Sequence, residues 1–468
     1  MADSLSITRR DVLRSIVAAA GMPAIARAAG GRRSVGIIGG GMAGVSLAWL
    51  LDGARDVVLL EARNAIGGNV QTIDVDIDGQ HVPVDIGAQY FHPGPYPIYT
   101  ELLTSLGLFP PSGDPAAANP FPASITLSAH GEAMSRFVTP IVPERTWPLL
   151  DPANWDALLA FGTTFAAAAA RESLGGRWSV TLGDWLSTIG LSVRAREDFI
   201  LPWAASLFSG RIDDARRLSA RAAMIFAAKA LPANALDPVI YYALNAGMID
   251  VLQRLVEQCT TLQIMTGAIV QQVARRPEGG FTVTCADGRV ASVDDLVFAC
   301  SGPATWQLLQ SVPGADAQRA AVGGIEFNTA RLALHTDPIY APPNPAAWSF
   351  LNCGVHGPFC EASMWMERVL GGVPRQTAGK IWKSWITHRD QLPAEIVHQT
   401  QFTHMLPTPA SLTAQNAVQL LQGRGGVWFA GGYLFPYDAQ ETALRSAIGV
   451  AIGLSITTSR TLRLNAAG

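Results

Sequence analysis

Lysine, charge and long apolar runs are all scarce in this sequence. Lys229, Lys380 and Lys383 are the only lysines among 34 basic residues, and 15% of the 468 residues are charged. The formal net charge is −3, with no block of like charge. Nothing here forms an electrostatic footprint for nucleic acid or a field that steers charged partners. The five cysteines, Cys259, Cys285, Cys300, Cys353 and Cys360, make no CxxC or Cys/His group. That spacing gives no metal site, and the odd count speaks against a disulfide framework, so they read as small buried hydrophobes. No segment is apolar for long enough to span a bilayer as a helix. What the chain has is 49% hydrophobic residues, 45 Gly and 30 Pro. This composition fits a compact, loop-rich α/β enzyme of two or three domains.

Residues 1–30 read as a targeting segment. Thr8-Arg9-Arg10-Asp11-Val12-Leu13-Arg14 resembles a twin-arginine export signal, followed by an apolar stretch from Ile16 to Ile25 and a small-residue site at Ala26-Arg27-Ala28. The alternative is an amphipathic N-terminal helix. The export reading predicts a periplasmic or otherwise extracytoplasmic enzyme, carried across the membrane already folded.

The strand pattern Ser34–Ile38 runs into Gly39-Gly40-Gly41-Met42-Ala43-Gly44 and then into an apolar helix pattern. In this arrangement Gly39 permits the tight turn, Gly41 lets the backbone approach a pyrophosphate, and Gly44 lets the helix pack close to the strand. The phosphates sit at the helix N-terminus, beside Met42 and Ala43, where free N–H groups and the dipole favour anions. A second strand, Asp56–Leu60, ends in Glu61, about 20 residues after the glycines, where a ribose-binding carboxylate is needed. Strand, glycines, helix, strand and acid in that order make a strong dinucleotide signature.

Glu61-Ala62-Arg63 continues to Gly67-Gly68-Asn69-Val70. This second glycine pair resembles that of the flavin amine oxidase superfamily, with Asn69 in place of the usual arginine. Arg63 either reaches a phosphate or is a solvated surface arginine. Val84-Asp85-Ile86-Gly87-Ala88-Gln89 resembles the segment that passes beside the isoalloxazine ring. Val270 matches the position whose backbone holds the adenine. Val427-Trp428-Phe429-Ala430-Gly431-Gly432 and the helix containing Ala443 resemble the C-terminal FAD-binding turn. Gly432 stands where the superfamily commonly has an acid bonded to the ribityl chain, so that contact must come from elsewhere, such as the backbone. Within the superfamily the chain is most similar to a bacterial branch of predicted NAD/FAD-binding oxidoreductases, associated with fatty-acid modification.

The resemblance implies noncovalently bound FAD, no metal, and an α/β fold. A Rossmann-type FAD domain is expected from residues 33–94, 245–302 and 406–460, and an α+β substrate domain from 95–244 and 303–405. It also implies hydride abstraction from a hydrophobic small molecule. The leading expectation is an amine or amino acid oxidase reaction with O2 or another acceptor. The alternatives are a desaturase or isomerase of an unsaturated lipid or terpenoid, and a noncatalytic flavin-binding protein. Arg331 takes the place of the lysine that amine oxidases commonly put near flavin N5, either as a carboxylate anchor or as an ion-paired strand residue. Tyr433 and Tyr437 are candidates to stand over the flavin face. His404 is a candidate acid/base, with packing as its alternative, and His335 is treated in the same way.

Overall fold

The computed structural model describes residues 31–111, 113–234 and 237–468, together with the backbone of Ile25–Arg27. Apart from that short strand, the segment read as an export signal lies outside the described residues.

Unbroken apolar runs suit parallel strands that are covered on both faces. Ser34–Ile38, Asp56–Leu60 and Asp295–Phe298 are such runs, and they are almost wholly buried. They form the centre of a five-stranded sheet in the order Leu262–Met265, Asp56–Leu60, Ser34–Ile38, Asp295–Phe298, Val427–Phe429. Every neighbouring pair is parallel. Chain order reverses at Ser34–Ile38, since Asp56–Leu60 lies on one side and Asp295–Phe298 on the other. Such a switch point leaves a crevice beyond the carboxyl ends of the strands.

Helices Met42–Leu51 and Gln440–Gly453 pack against each other, and Ile249–Glu257 packs on the first of them. Their apolar side chains join Val35, Ile37, Leu59 and Val297 in one core on one face of the sheet. On the other face, Ile38, Val58 and Phe298 join Val273, Val283 and Val293 of the antiparallel strands Val270–Arg275, Phe281–Cys285 and Val290–Val293.

A second, mixed sheet runs Ile396–Met405, Phe327–His335, Trp382–Trp385, Phe359–Trp365, Leu351–His356, Ile125–Ala129, Phe137–Val138, with Gly210–Arg211 paired on Phe359–Trp365. Its core includes Leu334 and Ala362 from the strands and Phe161, Leu182 and Trp203 from helices Pro152–Ser173, Leu182–Thr188 and Leu201–Ser206. The result is an α/β, two-domain architecture. No helix among the described residues is long and apolar enough to cross a membrane.

Two glycines fix how the first helix meets the sheet. Gly39 has φ of 117°, a conformation that L side chains rarely adopt. A Cβ on Gly44 would lie 2.0 Å from the Gly39 carbonyl oxygen. Backbone there cannot move aside without dismantling the turn. Gly44→Ala is therefore expected to cost about 1–3 kcal/mol, read as a lower thermal midpoint. Gly449 is the control: a Cβ there meets nothing within 4 Å. Gly449→Ala in the middle of the closing helix should hold or raise the midpoint. Equal behaviour of the two variants would contradict the close packing.

Candidate functional site

A cavity of about 920 Å³ lies along the carboxyl ends of the parallel strands and extends to the mixed sheet. Its cofactor-sized half is built from loops that follow all five of those strands. Gly39, Gly41, Met42 and Ala43 line it where the first strand turns into helix. No side chain caps that helix, so its first N–H groups are free for an anion. Glu61, Ala62 and Arg63 line it after the second strand. The Glu61 carboxylate accepts hydrogen bonds from Gly40 N at 2.7 Å and Arg63 N at 2.9 Å. Arg63 donates to the Gly68 carbonyl, which ties it to the second glycine pair.

Gly68, Asn69, Gly87, Ala88 and Gln89 continue the wall. Ala88 N donates to the Asn69 carbonyl at 2.9 Å. Val270 lines one end, and Gly431, Gly432 and Ala443 line the side reached from Val427–Phe429. Gly44 and Gly67 lie outside the wall. Gly44 packs helix on turn, and Gly67 N donates to the Gly40 carbonyl at 2.8 Å, joining the two glycine loops.

The other half of the cavity is apolar and aromatic, with Tyr96, Phe226, Leu351, Met364, Trp385 and Phe402 among its walls. Glu61 and Asp438 are the only carboxylates lining the cavity among the described residues, and Glu61 belongs to the glycine loops.

The proposed catalytic residues separate. Arg331 does not line the cavity; its guanidinium donates to the carbonyls of Ile386 at 3.1 Å and Thr387 at 3.4 Å. Phe327 and Leu332 are the residues of strand Phe327–His335 that line the cavity, and beside Arg331 it is Leu332 that faces it. Tyr437 also lies outside the wall, edge-on to Phe226. Tyr433 lines the cavity, with its hydroxyl 3.4 Å from Thr305 Oγ1 and its ring against Phe327. His404 lines it too, beside Trp385 and Phe402. Burial pushes its imidazole down to about 4, so it is neutral near pH 7. His335 is enclosed elsewhere, with Nε2 2.7 Å from Ser384 Oγ.

The basic group in the apolar half is Lys383, which the sequence reading missed. It is 1% exposed and lies on Trp382–Trp385, the strand adjoining that of Arg331, opposite Leu334. Its Nζ donates to Gln89 Oε1 and, at 3.1 Å, to the Asp85 carbonyl. Burial lowers this amine to about 7, the Asp85 charge opposing the shift. Burial likewise lifts the Asp85 carboxyl to about 7, against hydrogen bonds from Thr72 and Met248 N and the charge of Lys383. One signal was present in the sequence: a lysine flanked by Trp382 and Trp385 in a chain with only three lysines. Fully buried lysines are rare enough to mark function.

An anion-ready helix end, paired glycine loops and an acid at the second strand suit a dinucleotide. Because the same cavity opens on a second sheet, the chain falls among two-domain flavoenzymes. It belongs to the flavin containing amine oxidoreductase family, whose profile matches residues 42–330, and it is an FAD-dependent oxidoreductase. An engineered double mutant of putrescine oxidase shares its fold, with 16% identity, a TM-score of 0.59, and coverage of 91% of this chain and 99% of that one. Cyclohexylamine oxidase from Brevibacterium oxydans IH-35A is similar at 17% identity and a TM-score of 0.56, covering 91% of this chain and 100% of its own. No curated protein matches the sequence.

The buried lysine makes a pH signature. Its folded value is about 7 against an ordinary 10.5. Between these values the unfolded chain binds the extra proton, so the contribution of Lys383 to stability rises with pH across that window. Asp85 acts at lower pH and in the opposite sense: its raised value means stability falls as pH climbs from about 4 to about 7. Thermal midpoints of Lys383→Met, compared with the parent from about pH 7 to 10, should lack the upward trend. A variant that keeps the trend would place its origin elsewhere.

Proposed function

We propose that this protein oxidises a hydrophobic small molecule, most simply a neutral amine or amino acid, using noncovalently held FAD and O2 as acceptor. The observation that carries this reading is the continuity of the cavity, from the glycine loops to an apolar chamber that holds a buried lysine. Bound FAD supplies the hydride acceptor; the protein supplies orientation, exclusion of water and electrostatics.

The glycine loops and the helix beginning at Met42 hold the diphosphate, with Glu61 at the adenosine ribose. Tyr96, Phe226, Met364 and Phe402 exclude water from the apolar half and press an apolar substrate into place. Lys383 Nζ, neutral above about pH 7, can accept a proton there, with Gln89 Oε1 and the Asp85 carbonyl holding it in place. Apart from Asp438, the walls of this half are mainly apolar and aromatic, which suits an amine in its neutral form. The same apolar character supports a second reading, desaturation or isomerisation of an unsaturated lipid. Hydrogen peroxide release with each turnover separates oxidation from isomerisation. Noncovalent attachment is supported by the absence of cysteine from residues 406–460. The twin-arginine pattern supports an extracytoplasmic site of action.

The purified protein should show a flavin spectrum, with FAD in the filtrate after denaturation. Anaerobic addition of hydrophobic amines, amino acids or unsaturated lipids should bleach it. With a bleaching substrate, the rate should rise as pH increases through about 7, where Lys383 loses its proton. Lys383→Met should slow bleaching by about 100-fold or more and lose that limb. A variant with unchanged rate and pH profile would remove Lys383 from the chemistry. A colourless protein that cannot be reconstituted with FAD would overturn the reading.

A further inference from the structure

Asp438 is a carboxylate that the mechanism above does not use. It lies between the 3-10 turn Gly432–Leu434 and the helix Gln440–Gly453, and its side chain is exposed where it lines the cavity. Among the described residues it has no hydrogen-bond or ion-pair partner, and desolvation is the one influence on its acidity, raising it to about 6. Standing in the cavity wall with no protein partner, this carboxylate has its oxygens free to accept from a bound molecule.

Its position shows which donor. Along the carboxyl edge of the parallel sheet, Glu61 follows the strand on one side of the first glycine loop. Gly431 and Gly432 follow Val427–Phe429, two strands away on the other side. A dinucleotide with one ribose at Glu61 and its diphosphate at Gly39–Gly41 must continue across the sheet toward Gly432. There it presents the hydroxylated chain that joins diphosphate to ring. The Asp438 Oδ1 atom lies 2.2 Å from where a Cβ on Gly432 would stand. It thus fills the space that a side chain at 432 would take. The missing side chain at Gly432 and the unpartnered carboxylate of Asp438 are two halves of one arrangement.

We propose that Asp438 is a cofactor-binding residue that accepts a hydrogen bond from a ribityl hydroxyl of FAD, taking the place of an acid at position 432. The proposal rests on the FAD reading above. Release of FAD from the diluted holoenzyme, followed by recovery of flavin fluorescence, and titration of the deflavinated full chain with FAD and with ADP together test it. Asp438→Ala should weaken FAD by about tenfold or more, the scale of a hydrogen bond to a charged group, and leave ADP unchanged because ADP has no ribityl chain. The double variant Gly432→Glu with Asp438→Gly should recover most of the lost FAD affinity. Unchanged FAD affinity in Asp438→Ala, or an equal loss for ADP, overturns the assignment. A parent protein that binds ADP but not FAD would instead overturn the FAD reading itself.

Discussion

The Glu61 carboxylate is the point on which the cofactor half of the molecule is built. Its two oxygens accept from Gly40 N and Arg63 N, so the turn after the first strand and the loop after the second are held to one buried anion. The backbone around it binds the third strand as well: Glu61 N donates to the Met265 carbonyl, and Ala268 N to the Glu61 carbonyl. Hydrogen bonds to a charged group are worth about 1.5–3 kcal/mol each, and losing the acceptor would also strand buried donors. With this node in place, Gly67 can pair with Gly40, and the helix from Met42 can point its uncapped end into the cavity.

This half was largely legible in the sequence because its constraints are local. A turn that needs positive φ at Gly39, a helix that needs no Cβ at Gly44 and an acid closing the next strand each leave their mark within about 25 residues. The later FAD segments were legible by resemblance. Gly44 packs helix on turn and Gly67 joins the two glycine loops, so both shape the site without lining the cavity.

The substrate half was not legible in this way, because its determinants are set by the registry between distant strands. Arg331 occupies the expected strand but is turned to the Ile386 and Thr387 carbonyls, while its neighbour Leu332 faces the cavity. The basic group enters instead from Trp382–Trp385, where Lys383 pairs across the sheet with Leu334 and Met364 and is held by Asp85 and Gln89, which lie 298 and 294 residues away in sequence. No periodicity marks a four-residue strand buried along its whole length. Asp438 was hidden for a similar reason: its relation to Gly432 is a matter of space across a turn, and six positions of sequence do not announce it.

The parallel sheet has one more consequence, for how the chain reaches its final form. Its central strand begins at Ser34 and its last strand ends at Phe429, and the helix that packs on Met42–Leu51 comes later still. During synthesis the ribosome therefore releases four of the five strands long before the fifth, leaving one flank of Asp295–Phe298 unpaired and apolar. Such non-local pairing is slow and exposed to aggregation. The nucleotide crevice cannot close until the final tenth of the chain has emerged, and neither half of the sequence encodes the complete parallel sheet by itself.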